Sequence, residues 1–304
     1  MPYTAPTAMH TIRANTTLAA NVHRLVLDAP LVAKKRLPGQ FVMVRLGSGH
    51  ERIPLTIADS DPAAGTITLV IQAVGVSTRA LVALKPGEAI RDVAGPLGRA
   101  TDLIESGHAV CVGGGVGTAV VFPIAQALQR AGVRVTSIIG GRNAELVILA
   151  KELKELGEVV ICTDDGSLGQ KGLVTDGLRQ VAAEAVAKGS KIDIAYAVGP
   201  VPMMRAVADL TRPMGIHTIV SLNPVMIDGT GMCGGCRVTV GGQTRFACVD
   251  GPEFDGHQVD FAEMWSRLGT YKELEKEATA TATATAAAAC EAHACRLTGA
   301  TGPA

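Results

Sequence analysis

Residues 108–128 read HAVCVGGGVGTAVVFPIAQAL. A short apolar run ends in a glycine cluster, Gly113, Gly114, Gly115 and Gly117, and an Ala/Val/Leu pattern of helical length follows. A strand delivered through a glycine turn into a helix aims main-chain N–H groups and a helix N-terminus at a pyrophosphate. The same turn also occurs in α/β proteins that hold no nucleotide. The spacing here is G-G-G-x-G rather than G-x-G-x-x-G, so the loop establishes an α/β texture and leaves its ligand open.

That texture continues downstream as VRVTSIIGG, ELVILAKELKELG, EVVICTDDG, VTDGLRQVAAEAVAKG and IDIAYAVGP, alternating strand and helix patterns that predict a doubly wound parallel sheet. Two later strand ends, ICTDDGSLGQKG and YAVGPVPMM, fall on the carboxyl edge where open α/β sheets bind ligands. Asp164 and Asp165 on that edge suit ribose hydroxyls and would repel a 2′-phosphate, which favours NAD(H); a turn or capping role explains the same pair. Gly199 would admit a nicotinamide closely, and strand-end Gly-Pro is equally ordinary turn chemistry.

Upstream, from about residue 8 to residue 100, short β-type runs (VHRLVLD, QFVMVRL, TITLVIQAV, AIRDVAG) are separated by LPGQ, PAAGT and KPGE turns, predicting an antiparallel barrel or sandwich. Within it, Arg52 and Thr56 of ERIPLTIAD and Gly75, Ser77 and Thr78 of QAVGVSTRAL form an Arg, hydroxyl and glycine-turn set suited to a flavin phosphate. An exposed Arg and a capping Ser/Thr would look the same.

The chain has 304 residues, about twice a typical domain, which predicts two domains. Lys plus Arg and Asp plus Glu are both 28, so no net positive field gathers phosphate backbone or anionic lipid, which argues against nucleic-acid and membrane-surface binding. No run of eighteen apolar residues and no signal-peptide pattern appear, so a cytoplasmic protein is expected. The expected boundaries are a β-barrel over 1–102, an α/β domain over 103–220, a Gly/Cys/Asp-dense segment over 221–268 and a low-complexity tail over 269–304. ATATATATAAAA in that tail predicts disorder or a frayed helix, with Cys290 and Cys295 as incidental thiols.

The dense segment carries MIDGTGMCGGCRVTVGGQTRFACVDG. Asp228, Cys233 and Cys236 are separated by four and then two residues and Cys248 follows, the spacing of a plant-type 2Fe-2S loop with Asp first. Two irons bridged by sulfide need four anionic donors converging from a loop, and a carboxylate is anionic. A zinc site is the metal alternative, with His257 as the nearby candidate for a fourth ligand. Buried cysteines in a hairpin turning at Gly241-Gly242 are the metal-free alternative.

Barrel with R-x-P-L-T, sheet domain with G-G-G-x-G and C-terminal cluster loop together resemble, over about residues 8–268, the flavin and iron-sulfur subunits of the ferredoxin-NADP reductase-like superfamily. Two systems share such a subunit. One is NADH-dependent reduced ferredoxin:NADP oxidoreductase, whose alpha subunit is also met as the sulfide dehydrogenase beta subunit; the other is the dihydroorotate dehydrogenase electron-transfer subunit. The dihydroorotate type has four cysteines, whereas the ferredoxin:NADP type has one Asp and three Cys. Asp228, with the flanking SLNPVMIDGTGMCGGCRVTVGG and FACVDGPEFDGHQVDF, makes the latter the better match.

The resemblance implies an antiparallel FAD-binding barrel, a parallel-sheet NAD-binding domain and a C-terminal 2Fe-2S loop. It implies an FAD site lined by Arg52, Pro54, Leu55, Thr56, Gly75, Ser77 and Thr78, and an NAD(H) site lined by Gly113 to Gly117, Asp164, Asp165 and Gly199. It further implies hydride exchange between NAD(H) and FAD, with single electrons leaving through the cluster. The implied partner is a larger flavoprotein subunit similar to the glutamate synthase small chain, in a heterodimer that couples NADH, NADPH and ferredoxin by electron bifurcation or its reverse, or that acts on sulfide or polysulfide. Many superfamily reductases end in an aromatic residue over the flavin, and this chain ends in GPA. The rival from another class is a zinc-stabilised nucleotide-sensing module that carries no flavin.

Overall fold

A computed structural model of the chain describes residues 9–281. The first half contains β1 (His10–Ala19), β2 (Val22–Asp28), α1 (Pro30–Lys35), β3 (Phe41–Arg45), β4 (Ile53–Asp61), β5 (Thr66–Gln72), α2 (Val76–Val82), β6 (Ala89–Ile90) and β7 (Asp92–Leu97). Every strand pair among them is antiparallel, in the order β6-β1-β2-β5-β4-β3-β7. Only Arg91 separates β6 from β7, so the two ends of the sheet are joined by one residue and the sheet curls into a nearly closed barrel. Leu25 and Leu27 of β2 and Ile67, Leu69 and Ile71 of β5 point inward and are buried, the two-residue period of strands with one face in a core.

The second half contains β8 (His108–Gly114), α3 (Thr118–Arg130), β9 (Arg134–Gly141), α4 (Ala150–Lys154), β10 (Glu158–Thr163), β11 (Gln170–Lys171), α5 (Val174–Ala187), β12 (Ile194–Val198), α6 (Val201–Thr211) and β13 (His217–Ser221), then β14 (Arg237–Val240), β15 (Gln243–Phe246), β16 (Glu253–Asp255) and α7 (Phe261–Leu268). The sheet order is β11-β10-β9-β8-β12-β13-β16, parallel except where β16 closes antiparallel on β13. Strands β8 and β12 are buried at every residue because helices cover both faces of the sheet. On one face, Val121, Ile124 and Leu128 of α3 pack on Ala109 and Cys111. On the other, Leu178 of α5 and Met204 and Val207 of α6 pack on Val110, Val112 and Ala195.

One element departs from the sequence pattern. ELVILAKELKELG is α-helical only over α4, with a 3-10 turn at Ala144–Leu146, and Leu149 immediately before α4 takes φ +58°. The chain turns there to bury Ile148 and Leu149 against Ala19, Val22 and Val70 of the barrel, in an apolar contact that also takes in Ala119 of α3. Arg24 of β2 reinforces the same junction, donating from Nη2 to Glu152 Oε1 at 2.6 Å. In the tail, residues 272–281 are helical, and this helix runs into the Ala/Thr tract for which disorder or a frayed helix is expected. The rest of the expected disordered tail, with Cys290 and Cys295, lies outside the described residues. Among the described residues no helix is long and apolar enough to cross a membrane.

Candidate functional site

The order of the parallel sheet reverses between β8 and β12: the chain runs outward from β8 through β9 to β10, then returns to the other side of β8. Open α/β sheets hold ligands at such a switch point, outside the carboxyl ends of the strands. The two ends, Gly113 and Val198, are register partners, so the loops that follow them face each other. A cleft of about 1010 Å³ opens there and runs across to the barrel.

Of the residues expected at nucleotide sites, Pro54, Leu55, Thr56 and Thr78 line the cleft from the barrel. Gly114, Gly115, Gly117, Asp164 and Gly199 line it from the sheet. The glycines have different reasons for being there. A Cβ on Gly117 would stand 2.2 Å from the carbonyl oxygen of Val198, so this residue lets α3 start close against β12. Gly115 has open space around it and takes φ +55°, leaving bare main chain at the start of the turn into α3.

Five expected residues do not line the cleft, and local chemistry explains four of them. Gly113 is a packing glycine, whose Cβ would stand 2.8 Å from Thr118 Cα. Asp165 is spent on its own turn, accepting from the Ser167 N–H at 2.9 Å and the Ser167 hydroxyl at 2.6 Å, which holds its carboxyl below the ordinary range. The Ser77 hydroxyl donates to Glu51. Gly75 is the N-cap of α2, and its N–H donates to the Thr78 hydroxyl at 2.9 Å. Arg52 is exposed just ahead of β4. The cleft also has lining residues that the motifs did not flag: Phe41, Gln72, Arg142, Met203, Asn223, Met226 and Pro252. Arg142 and Asn223 follow the carboxyl ends of β9 and β13, so the strand-end rule that singled out Asp164 applies to them too.

The cysteine loop lies beside the barrel. Strands β14 and β15 form a hairpin at the Gly241-Gly242 turn that the metal-free alternative named, and both turn glycines have positive φ, +58° at Gly241 and +74° at Gly242, matching the right-handed strand twist. The hairpin carries Cys236 just ahead of β14 and Cys248 just after β15, both buried, with their sulfurs 3.1 Å apart. Burial first, and then the neighbouring Cys236, push the Cys248 thiol well up, an arrangement that a bound cation would reverse.

Asp228 and Cys233 sit on the outer part of the loop. Asp228 Oδ1 accepts from the Thr230 N–H at 2.9 Å and Oδ2 from the Cys233 N–H at 2.8 Å, and these bonds hold the carboxyl below its ordinary range. It is therefore an anionic donor five residues from an exposed thiol. Among the described residues no three His, Cys, Asp or Glu side chains already converge on one point that could hold a metal ion. The donor set suits a 2Fe-2S group nonetheless, with a buried thiol pair on one side and a carboxylate and a thiol on a glycine-rich loop on the other. Zinc is poorly served, because the His257 ring is committed elsewhere: its Nε2 lies 3.0 Å from Thr211 Oγ1.

Cleft and loop share a wall. Phe41, Met43, Met226, Ala247, Cys236 and Cys248 form one buried apolar cluster, and Phe41 and Met226 also line the cleft.

Residues 223–260 match the model of the iron-sulfur cluster binding domain of dihydroorotate dehydrogenase B. The chain is 46% identical over 270 residues (89% of this chain, 94% of the relative) to a Thermotoga maritima protein named as a homologue of the dihydroorotate dehydrogenase B (NAD(+)) electron transfer subunit. It is 32% identical to the Fusobacterium nucleatum electron transfer subunit of that enzyme, over 82% of this chain and 97% of that one. A solved structure of the NADH-dependent reduced ferredoxin-NADP oxidoreductase, described in terms of flavin-based electron bifurcation, superposes with a TM-score of 0.83 at 43% identity. That match covers 91% of this chain and 98% of the other.

Proposed function

Because the chain belongs to the family of dihydroorotate dehydrogenase B electron transfer subunits and their homologues, we propose that it is the flavin and iron-sulfur subunit of an oxidoreductase of the NADH-dependent reduced ferredoxin-NADP oxidoreductase or sulfide dehydrogenase type. Bound FAD and a 2Fe-2S cluster supply the conversion of a hydride exchanged with NAD(H) into single electrons.

The chain's own residues bind, orient and exclude water. In this reading Pro54, Leu55 and Thr56 of β4 and Thr78 of α2 line the flavin side of the cleft, Gly75 and Ser77 hold the turn into α2, and the exposed Arg52 is the cation for a flavin phosphate. Gly114, Gly115, Gly117 and Gly199 line the side on which the nicotinamide nucleotide approaches, Gly115 with bare main chain and Gly117 by letting α3 start close against β12, and Asp164 accepts from a ribose hydroxyl. Asp228, Cys233, Cys236 and Cys248 hold the cluster. No side chain of the cleft is needed as an acid or base for the hydride exchange.

The observation that carries this reading is the shared wall. Phe41 and Met226 line the cleft and belong to the same buried apolar cluster as Cys236 and Cys248, which supports placing the two cofactors on either side of that cluster. The Cys233 end of the loop is exposed, which suits electron delivery to a second protein. The partner is a larger flavoprotein subunit similar to the glutamate synthase small chain, with ferredoxin engaged through the heterodimer. Thiols kept free for metal suit the cytoplasm.

Asp228 as first ligand favours this type over the dihydroorotate subunit, and copurification decides between them. Tagged protein from its source is expected to bring down a flavoprotein that oxidises NADPH. Recovery of a dihydroorotate-oxidising subunit instead overturns the assignment of type.

A further inference from the structure

The Cys233-Gly234-Gly235-Cys236 turn is gripped by two arginines from different elements. Arg237, at the start of β14, donates from Nη1 to the Gly234 carbonyl at 3.2 Å. Arg267, on α7, reaches back 32 residues to donate from Nη2 to the Gly235 carbonyl at 3.1 Å. Both arginines line a pocket of about 440 Å³ between the loop and α7, and Cys233 lines it with them. The Arg267 Nε is buried and has no hydrogen-bond partner, and among the described residues neither arginine forms an ion pair with a carboxylate. Two uncompensated positive charges therefore stand against the turn that joins two of the four ligands, and one of them is partly desolvated.

We infer that Arg237 and Arg267 are positioning residues of the iron-sulfur site: they brace the Gly234–Gly235 turn through its carbonyls and, by their charge, raise the reduction potential of the cluster. The inference rests on the loop carrying a 2Fe-2S group, as proposed above. Reduction adds one negative charge to the site, and a nearby cation stabilises the more negative state. The half-buried Arg267 is screened less than the exposed Arg237, so it has the larger effect and keeps it in salt.

The test is a dye-mediated redox titration of the purified full chain, read by visible absorption and electron paramagnetic resonance, with iron and acid-labile sulfide measured on each sample. Arg267→Gln is expected to disfavour the reduced cluster about tenfold, equivalent to about 59 mV for one electron. Arg267→Lys, which keeps the charge, recovers most of that shift. Arg237→Gln shifts the potential in the same direction by less, and its shift shrinks as ionic strength rises. A wild-type potential in both Gln variants overturns the inference, and so does an Arg267→Lys potential as low as that of Arg267→Gln, which would make the effect geometric. If Arg267→Gln loses iron, Arg237→Gln carries the test alone: an unshifted potential there overturns it. Wild-type protein without iron and sulfide would instead refute the cluster reading itself.

Discussion

The sulfur of Cys236 lies 3.1 Å from the sulfur of Cys248, with both thiols buried at the base of the β14–β15 hairpin. This pairing brings two of the expected ligands together through strand pairing, while Asp228 and Cys233 remain on the loop above. Cys236→Ala and Cys248→Ala are each expected to abolish cluster binding, read as loss of iron and sulfide per flavin. Asp228→Cys, which offers a fourth thiolate, is expected to retain both. Full iron content in either alanine variant would contradict the ligand assignment.

The glycine cluster separates packing from conformation. In Gly117→Ala the new methyl meets the Val198 carbonyl, and either α3 or β12 must move. Overpacking of this kind costs roughly 1–3 kcal/mol, and NADH affinity is expected to fall with it. Gly115→Ala has open space and pays only for the positive φ, roughly 1–2 kcal/mol. Urea unfolding and NADH titration of the two variants check the contrast.

Glu253 makes stability depend on pH. Its carboxyl is enclosed near Gly39 and Thr101, Oε1 accepts from the Thr101 hydroxyl at 3.0 Å, and Oε2 is buried without a partner. Burial pushes its pKa from an ordinary 4.5 up to about 7, with the Thr101 hydrogen bond opposing and Asp102 adding. As pH rises between those values the unfolded chain releases its proton first, so stability falls across that window and levels off above it. The loss is about 3 kcal/mol. In Glu253→Gln that contribution to the slope of unfolding free energy against pH is expected to vanish; an unchanged slope between pH 5 and 7 would contradict the assignment.

The two acidic residues at the end of β10 are not equivalent. Asp164 lines the cleft, whereas the Asp165 carboxylate is occupied by Ser167. Asp164→Asn is expected to narrow the preference for NADH over NADPH by about tenfold, or about 1.4 kcal/mol, and Asp165→Asn to leave it unchanged. Steady-state kcat/KM with both nucleotides decides, and equal effects would contradict the distinction.

Much of this arrangement was legible in the residues. VHRLVLD and HAVCVGG match β2 and β8 residue for residue because period-two alternation and an uninterrupted apolar run are strong signals. The Gly241-Gly242 hairpin was equally readable from its turn chemistry. ELVILAKELKELG misled because its periodicity is helical, while burial of Ile148 and Leu149 against the barrel breaks the helix, a tertiary demand with no local signature. At the site, spacing identified four ligand candidates but not the side-chain commitments that remove Asp165 from the cleft or His257 from the metal alternative. Arg267 and Glu253 were invisible for the same reason: each acts on a partner more than thirty residues away or on a different domain.

As proposed, one chain joins a flavin site to a 2Fe-2S site. An ultraviolet-visible spectrum of anaerobically purified protein, before and after NADH, with iron and acid-labile sulfide assayed on the same sample, tests it most directly. Flavin and cluster bands are both expected to bleach with NADH, with about two irons and two sulfides per chain. A colourless protein containing zinc would contradict it and leave a nucleotide-sensing module as the better description.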